Sequence, residues 1–537
     1  MSWDAKLLEL PAFQAAFAHQ QHGRNQEAAI GYAEILDEYP DHPPATYLLA
    51  LSLSASHPEA AVGFFERYME LAPEDANGPY GYGMLRQRLG EHAAAVDLYH
   101  QAVTLKPDMA AAHQGLGDAL EQVGKPTEAL HAYDQAVAQG GGNATVHARR
   151  GVILMSLGEF ATALSALEQA LAQDPAMIGA HRHIAEALER LNRSDEARQH
   201  RDIVARALGA VVQPCTGDAC QGKVLFLCGT GPGDVPIDYL FDQGRFEKII
   251  VFPAATATSP GWDAASYLKG LPPFDIAFNA IGDPDHGGPE LIVAAELARY
   301  LPRKLLNQPD RIAATRRDLL PDLLADIPDA VTPRTTLIDR TGLDAKARSS
   351  EPFGPEFLLR PSGSHGGTHF EKIDDRSALR EYLISVPFDR FYLTEYYDYR
   401  NADGLFRKYR FIFIDGAVYA YHLAIHDHWK IHYFRADMNS HPWMKQEEEA
   451  FMADYRAVFP AKFSEAVQAV AKRLDLDYAG MDCGILPDGR LLVFEANAAM
   501  LVHLFDKQED YPYKHVYVPR IRNALSEMLM RRISSIK

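Results

Sequence analysis

The residues best suited to chemistry lie near the carboxyl end, in the run MDCGILPDGRLLVFEAN over positions 481–497. Asp488-Gly489 between two apolar stretches is the sequence of a two-residue hairpin. Folded there, residue 486 pairs with 491, 484 with 493 and 482 with 495. Asp482 then stands opposite Glu495, with Asn497 two residues on along the same face. Like charges directly opposite each other weaken a sheet. Two carboxylates and an amide oxygen on one face make sense around a hard cation such as Mg²⁺, which takes oxygen ligands and shares them with phosphates. The plainer alternative is a hairpin face turned to water, and Leu486, Leu491 and Val493 on that same face argue against it. Met481, Cys483, Ile485, Leu492, Phe494 and Ala496 form the opposite, buried face.

Two further segments fit a phosphate-bearing ligand. In FLLRPSGSHGGTHFEKI, a strand ending in Arg360 enters Ser362, Gly363, Ser364, His365, Gly366, Gly367 and Thr368, and a second strand follows. Glycines between two strands let backbone N–H groups turn toward an anion, and Arg360 supplies positive charge beside them. Without that charge the loop would read as a hairpin tip. In FYLTEYYDY, a strand leads into Glu395, Tyr396, Tyr397 and Asp398, which offer backbone and carboxylate groups to a nucleoside. A third glycine cluster, Gly229-Thr230-Gly231-Pro232-Gly233, follows the strand KVLFLC. Its last glycine comes one position too early for a dinucleotide fingerprint and Pro232 intervenes, so it reads as a sharp turn.

The elements that must position these groups begin with short apolar runs alternating with helical stretches over residues 222–305, the pattern of a small doubly wound α/β unit. Before it, VVQPCTGDACQGK marks a linker at 211–221. The amino-terminal 210 residues read differently. Pro73, Pro107 and Pro175, with Gly141 in the remaining place, repeat every 34 residues. Gly83, Gly117 and Gly151 keep the same spacing, as do Gly90, Gly124 and Gly158, and Ala95, Ala129, Ala163 and Ala197.

This pattern resembles the tetratricopeptide repeat over residues 8–208, with about five units and a less regular start. The resemblance implies an all-α superhelix of stacked helix pairs with a concave groove lined by first helices. By register the groove holds Tyr80, Met84, Gln87, Gln114, Asp118, Glu121, Arg182, Glu186 and Glu189. That face is either plain solvent-exposed helix or a docking surface for a peptide or protein, and repeat arrays favour docking.

The order of glycine loop, Glu-Tyr-Tyr hinge, basic strand pair and acidic hairpin resembles the ATP-grasp ligases, such as glutathione synthetase and the ribosomal-protein glutamate ligases. The likeness spans roughly residues 222–530 and is sharpest at DYAGMD and FEAN. It implies an α/β pre-ATP-grasp unit over 222–305 and an α+β ATP-grasp domain over 306–537. It also implies a carbon–nitrogen ligase that uses ATP with Mg²⁺ or Mn²⁺ to join a small-molecule acid or amine to its partner through an acyl phosphate. Asp482, Glu495 and Asn497 match the metal ligands, Ser362–Thr368 the loop over the phosphates, and Glu395, Tyr396 and Tyr397 the adenine hinge, with Asp398 toward the ribose. Arg360 takes the place of the family's phosphate-binding lysine. Arg410, in KYRFIFIDG, falls where the family puts a basic residue near the transferred phosphate. The chain departs from the family at His422, where an arginine is common, and in a histidine-rich strand with His426, His428 and His432. His422 and Lys430 become the contacts expected for the transferred group. The spacing of these histidines and of His365 and His369 fits no common zinc pattern. Two rival functions are an ATP-binding scaffold without turnover, and an ATP-dependent phosphotransferase or thioester-forming enzyme.

Composition bounds the rest. The 537 residues, 47% hydrophobic and 23% charged, suit several globular domains. A net charge of −19 argues against nucleic acid or an anionic membrane as partner. Four cysteines are too few for a disulfide framework, and the start lacks a secretory pattern, so the expected compartment is cytoplasmic.

Overall fold

The computed structural model describes residues 9–534 except 192, 218–219, 232, 242–243, 258–260, 350–353, 365–366, 368, 432–437 and 439. It divides into two compact units, one ending at Val204 and one beginning at Ala205.

The first unit is all helical. Among the described residues, twelve helices from Pro11–Gln21 to Ser194–Leu208 form six consecutive pairs, one more than the five or so units expected. The irregular first pair, Pro11–Gln21 and Asn25–Glu38, turns at Gly23 with φ +72°, as a regular repeat would. The two glycine registers serve different ends. A Cβ at Gly83, Gly117 or Gly151 would lie 3.0, 2.6 or 2.5 Å from Tyr99, Tyr133 or Leu167 on the paired helix, so close packing demands glycine there. Gly90, Gly124 and Gly158 have open space around them but φ of +79°, +76° and +79°, the left-handed turn that ends a helix.

Among the described residues the second unit holds three sheets. The first has the order β1-β3-β2-β4, from Val211–Gln213, Phe246–Val251, Gly222–Leu227 and Ile276–Asn279. β2, β3 and β4 are parallel, and Val224–Leu227 is fully buried, as expected of strands covered on both faces. β1 corrects the expected linker over 211–221. Val211-Val212-Gln213 pairs antiparallel with Ile250, Ile249 and Lys248, because an apolar β-branched stretch finds an open sheet edge there.

A four-stranded antiparallel sheet follows, β6-β9-β7-β8, from Thr335–Asp339, Arg390–Glu395, Phe357–Pro361 and Glu371–Ile373. Its core of Phe357, Leu359 and Phe391 packs on Leu343 and Ala347 of the helix Arg340–Arg348 and on Leu379 and Leu383 of the helix Arg376–Ser385. The third sheet is β11-β10-β12-β13-β5, from Ala417–His426, Phe406–Ile414, Tyr478–Ile485, Leu491–Asn497 and Ala330–Val331. Phe411, Met481 and Val493 share its buried core with Phe451, Phe463 and Leu525 from three helices.

The hairpin between β12 and β13 differs from the expected one in two places. The loop has three residues: Leu486 N–H donates to the Arg490 carbonyl at 2.9 Å, and Gly489 takes φ +83°. Gly484 therefore faces Leu492, and Cys483 faces Val493. A bulge next to Asp482 then restores the pairing of Asp482 with Glu495. The two one-residue shifts cancel at the acids but not between them. Leu491 and Val493 join the buried core, while Leu492 and Phe494 move to the other side, with Tyr399 and Phe406.

Candidate functional site

β10 lies between β11 and β12, so Arg410 is flanked by His422 on one strand and Asp482 on the other. Its guanidinium grips the carboxylate with two donors, Nε to Oδ1 at 2.6 Å and Nη2 to Oδ2 at 2.8 Å. Lys408, two residues earlier on the same face, donates from Nζ to Oδ2 at 3.1 Å. Burial by itself would raise the Asp482 carboxyl, but Arg410 and then Lys408 outweigh it and hold the group far below the usual carboxylate range. Glu495 takes Arg317 Nη1 on Oε2 at 2.7 Å. Burial and the neighbouring Asp482 push its carboxyl up, and Arg317 with Arg360 brings the balance below the ordinary value. Three cations thus touch two acids, an excess suited to a polyanion. Asn497 accepts the Ala499 N–H at 2.9 Å.

His422 is 6% exposed, and burial first, then Arg410, pushes its imidazole well below the usual range. Its neighbour across the strand pair is Arg410. His426 ends β11, whereas His428 lies beyond it, so the expected histidine-rich strand is shorter than anticipated. Each ring serves a local turn: His426 Nδ1 accepts the His428 N–H at 2.9 Å, and His428 Nδ1 accepts the Lys430 N–H at 3.1 Å. His432 lies outside the described residues. Among the described residues no three His, Cys, Asp or Glu side chains group as a metal site.

The glycine segment joins β7 to β8 as expected. Ser362, Gly363, Ser364 and Gly367 are described, with φ of +77° at Gly363 and +75° at Gly367; His365, Gly366 and Thr368 lie outside the described residues. Arg360 donates to the Ser364 carbonyl and, from Nε, to Ser364 Oγ at 3.2 Å. Its guanidinium lies 5.3 Å from the centre of the Phe370 ring. Burial and the nearby Arg317 lower it to about 10. Lys430 donates to Glu371 Oε1 at 3.1 Å, and its Cε would lie 3.5 Å from a Cβ on Gly367. Trp429 meets Phe370 and Tyr396 edge-on at 5.4 and 6.1 Å, and Lys372 lies over the Tyr396 ring at 4.7 Å. The result is an aromatic wall beside the expected hinge. Glu395 ends β9 with Oε2 accepting the Arg334 N–H at 3.2 Å. Tyr397 and Trp429 pack against the same apolar cluster, and Asp398 pairs with Arg400 Nε at 3.0 Å.

The sequence reading missed Arg317 and Lys408. Lys408 had a signal, since it shares the face of Arg410 at a spacing of two. Arg317 had none, because it comes from a turn far from both hairpin strands in sequence. The turn after β4 was missed as well. Gly282 packs so tightly that a Cβ would lie 2.7 Å from the Ala499 nitrogen, and the Tyr392 hydroxyl of β9 donates to Asp285 Oδ1 at 2.5 Å.

The donor set is all oxygen, the chemistry that a hard divalent cation takes, although in this structure cations occupy both oxygens of Asp482. It sits on paired strands, and the Arg317 contacts of Glu495 fall on Oε2. Asp482, Glu495 and Asn497 would hold such an ion.

In the first unit, the expected groove residues fall on first helices, but several are tied inward. Gln87 accepts the Tyr99 hydroxyl at 2.7 Å, and the single Tyr133 hydroxyl lies 2.6 Å from both Asp118 Oδ1 and Glu121 Oε2, either of which can accept it. Gln114 accepts Asn143 Nδ2 at 3.1 Å, and Glu189 pairs with Arg201 at 2.8 Å. Tyr80 is half-buried, while Met84, Arg182 and Glu186 are exposed. Two family models, each described as tetratricopeptide repeat, match residues 80–144 and 154–202. Residues 80–202 carry tetratricopeptide repeats. Solved structures similar to the tetratricopeptide unit include YrrB, described as having an unusual peptide-binding site (20% identity, 33% of this chain and 91% of that one, TM-score 0.31). PilF of Pseudomonas aeruginosa is similar at 16% identity, over 36% and 90% of the two chains, with TM-score 0.34. MamA of Desulfovibrio magneticus RS-1 is similar at 20% identity, over 30% and 96%, with TM-score 0.28. No curated protein matches the chain. Among the described residues no helix is long and apolar enough to cross a membrane.

Proposed function

We propose that the second unit is an ATP-grasp ligase joining a carboxylate to an amine, and that the repeats dock a peptide or protein substrate for it. The observation that carries this reading is the pair Asp482 and Glu495, facing each other across β12 and β13 and ringed by Arg410, Lys408 and Arg317. A buried Asp482 facing a half-buried Glu495, with surplus cations around them, suits a triphosphate and its counter-ion better than it suits a core. The glycine segment 362–368 covers the phosphates, and the wall of Phe370, Tyr396 and Trp429 takes the adenine. A divalent ion bound there would neutralise charge between phosphate oxygens. Arg410 and Arg317 orient the transferred phosphoryl group, Arg360 steadies Ser364, and exclusion of water there protects the acyl phosphate.

The test is direct. Calorimetry should detect ATP binding that needs Mg²⁺, and Glu495→Gln should weaken it at least tenfold. Hydroxylamine added with ATP and a panel of amino acids and dicarboxylates should trap an activated acid as its hydroxamate. ATP binding indifferent to Mg²⁺ and to Glu495→Gln would sink the reading. The ion pairs already saturating Asp482 favour one alternative, a nucleotide-binding scaffold in which the cluster is structural. That alternative expects ATP binding with no hydroxamate from any acid.

A further inference from the structure

The segment Gly282-Asp283-Pro284-Asp285-His286-Gly287 leaves β4 and enters the helix Gly288–Ala298. Three contacts tie it to the candidate site. Gly282 abuts the chain just past Asn497, where a Cβ would lie 2.7 Å from the Ala499 nitrogen. The His286 ring packs on the glycine segment, 3.1 Å from where a Cβ on Gly363 would be. Asp285 Oδ1 accepts the Tyr392 hydroxyl at 2.5 Å, and Tyr392 pairs across the sheet with Arg360. The turn is also pinned from within. Asp283 Oδ1 accepts the Asp285 N–H at 2.7 Å, and the Asp283 carbonyl accepts the Gly287 N–H at 2.9 Å. Asp285 is thus a half-buried acid held by its backbone and by one oxygen. Among the described residues no hydrogen bond or ion pair reaches its other oxygen, Oδ2. The nearby arginines are engaged elsewhere, Arg317 with Glu495 and Arg316 with Asp318, at 2.5 and 2.6 Å.

We propose that Asp285 is the general base of the amide-forming step, taking a proton at Oδ2 from a primary amine that arrives as its ammonium ion. This rests on the ligase reading of the second unit. A protonated nitrogen has no lone pair with which to attack the acyl phosphate. Asp285 takes one proton, the freed nitrogen bonds the carbonyl carbon, and the bond from that carbon to the phosphate oxygen breaks. The second proton on nitrogen leaves with the phosphate as hydrogen phosphate, and the amide remains. The carboxyl is tuned for this task. Burial raises it above the ordinary value against the Tyr392 hydroxyl, Asp283 adds to the rise, and Arg317 and His286 oppose it. The charged and titratable groups around it are Asp283 and His286 on its own turn and Tyr392 on β9. Arg316, Arg317 and Asp318 face it from the turn after the helix Pro309–Ala313, and Arg360 from β7.

The test compares two kinds of nucleophile in the full chain with Mg²⁺, ATP and the acid that hydroxylamine trapping identifies. Hydroxylamine is largely neutral near pH 7 and needs no base, whereas ammonia and the protein amino acids arrive as ammonium ions. Asp285→Asn should keep hydroxamate formation within about twofold and lower amide formation about a hundredfold or more, with KM for ATP unchanged. The deficit should shrink as pH rises and the amine loses its proton to solvent, and Asp285→Glu should restore part of the rate. Tyr392→Phe removes a donor that favours the carboxylate, so the acid limb of the amide-forming rate should move to higher pH. Should Asp285→Asn fail to fold, that shift decides. Equal losses of hydroxamate and amide in a folded Asp285→Asn, or a deficit that holds at every pH, would make the acid a structural part of its turn. An unchanged amide rate would remove its role, and a parent chain that forms hydroxamate but no amide from any of these amines would do the same; each overturns the inference. Failure of the parent to bind ATP or to give any hydroxamate would instead refute the ATP-grasp reading on which the inference stands.

Discussion

At the scale of single residues, Asp482 is the most consequential side chain in the second unit. Its replacement by asparagine leaves the part-buried Arg410 and Lys408 without their charged partner, so Asp482→Asn should cost about 2–4 kcal/mol in urea unfolding. The pH dependence follows from the lowered carboxyls of Asp482 and Glu495. Unfolded carboxyls take protons near pH 4, as the folded pair resists doing so. The pair's stabilisation is therefore complete above about pH 4 and is lost as pH falls toward the lower folded values. Melting temperatures measured from pH 6 to 3 should fall on the acid side, and Asp482→Asn should flatten that fall. Asp482 and Glu495 face each other as alternation from Asp488-Gly489 predicts, but only because the bulge offsets the longer loop. The three-residue loop and the bulge were not legible, because Asp-Gly serves both loop lengths and a bulge leaves no mark in residue types. Arg317 was illegible for another reason, since a turn residue reaches the site through tertiary folding alone.

At the scale of elements, the 34-residue period was readable because each register has one physical demand. Glycine at 117 answers a steric demand and glycine at 124 a backbone one. Gly117→Ala should cost about 1–3 kcal/mol through overpacking, and Gly124→Ala about 1–2 kcal/mol through its left-handed backbone. A double-mutant cycle with Tyr133→Ala separates them: removing the ring should relieve the first loss and leave the second. The hydrogen bonds between paired helices were less legible. Tyr32, Tyr99 and Tyr133 each donate to a side chain twelve residues earlier, Gln20, Gln87 and Glu121. In the next repeat both partners turn apolar together, as Leu167 with Met155. A second regular device is histidine: His113 and His181 reach back to the carbonyls of Pro107 and Pro175, at 2.8 and 3.0 Å, and His147 abuts Gly142. These pairings withdraw Gln87 and Glu121 from any docked peptide, leaving Arg182 and Glu186 better placed to meet one.

At the scale of the whole molecule, two compact units in one chain make separable predictions. Residues 1–208, which keep the helix Ser194–Leu208 whole, and 205–537, produced separately, should each show a cooperative unfolding transition by calorimetry. The second should retain Mg²⁺-dependent ATP binding, while turnover of a peptide substrate, if the repeats dock one, should drop when the first is removed. Unchanged peptide kinetics would count against docking. Where such a cut is made matters more than composition suggests, because Val211-Val212-Gln213 covers the outer side of β3. A fragment beginning at residue 222 would leave that row of backbone donors and acceptors bare, a template on which other chains could add strands. It should clump in solution at concentrations where the fragment from residue 205, still wearing its own hem, stays dispersed.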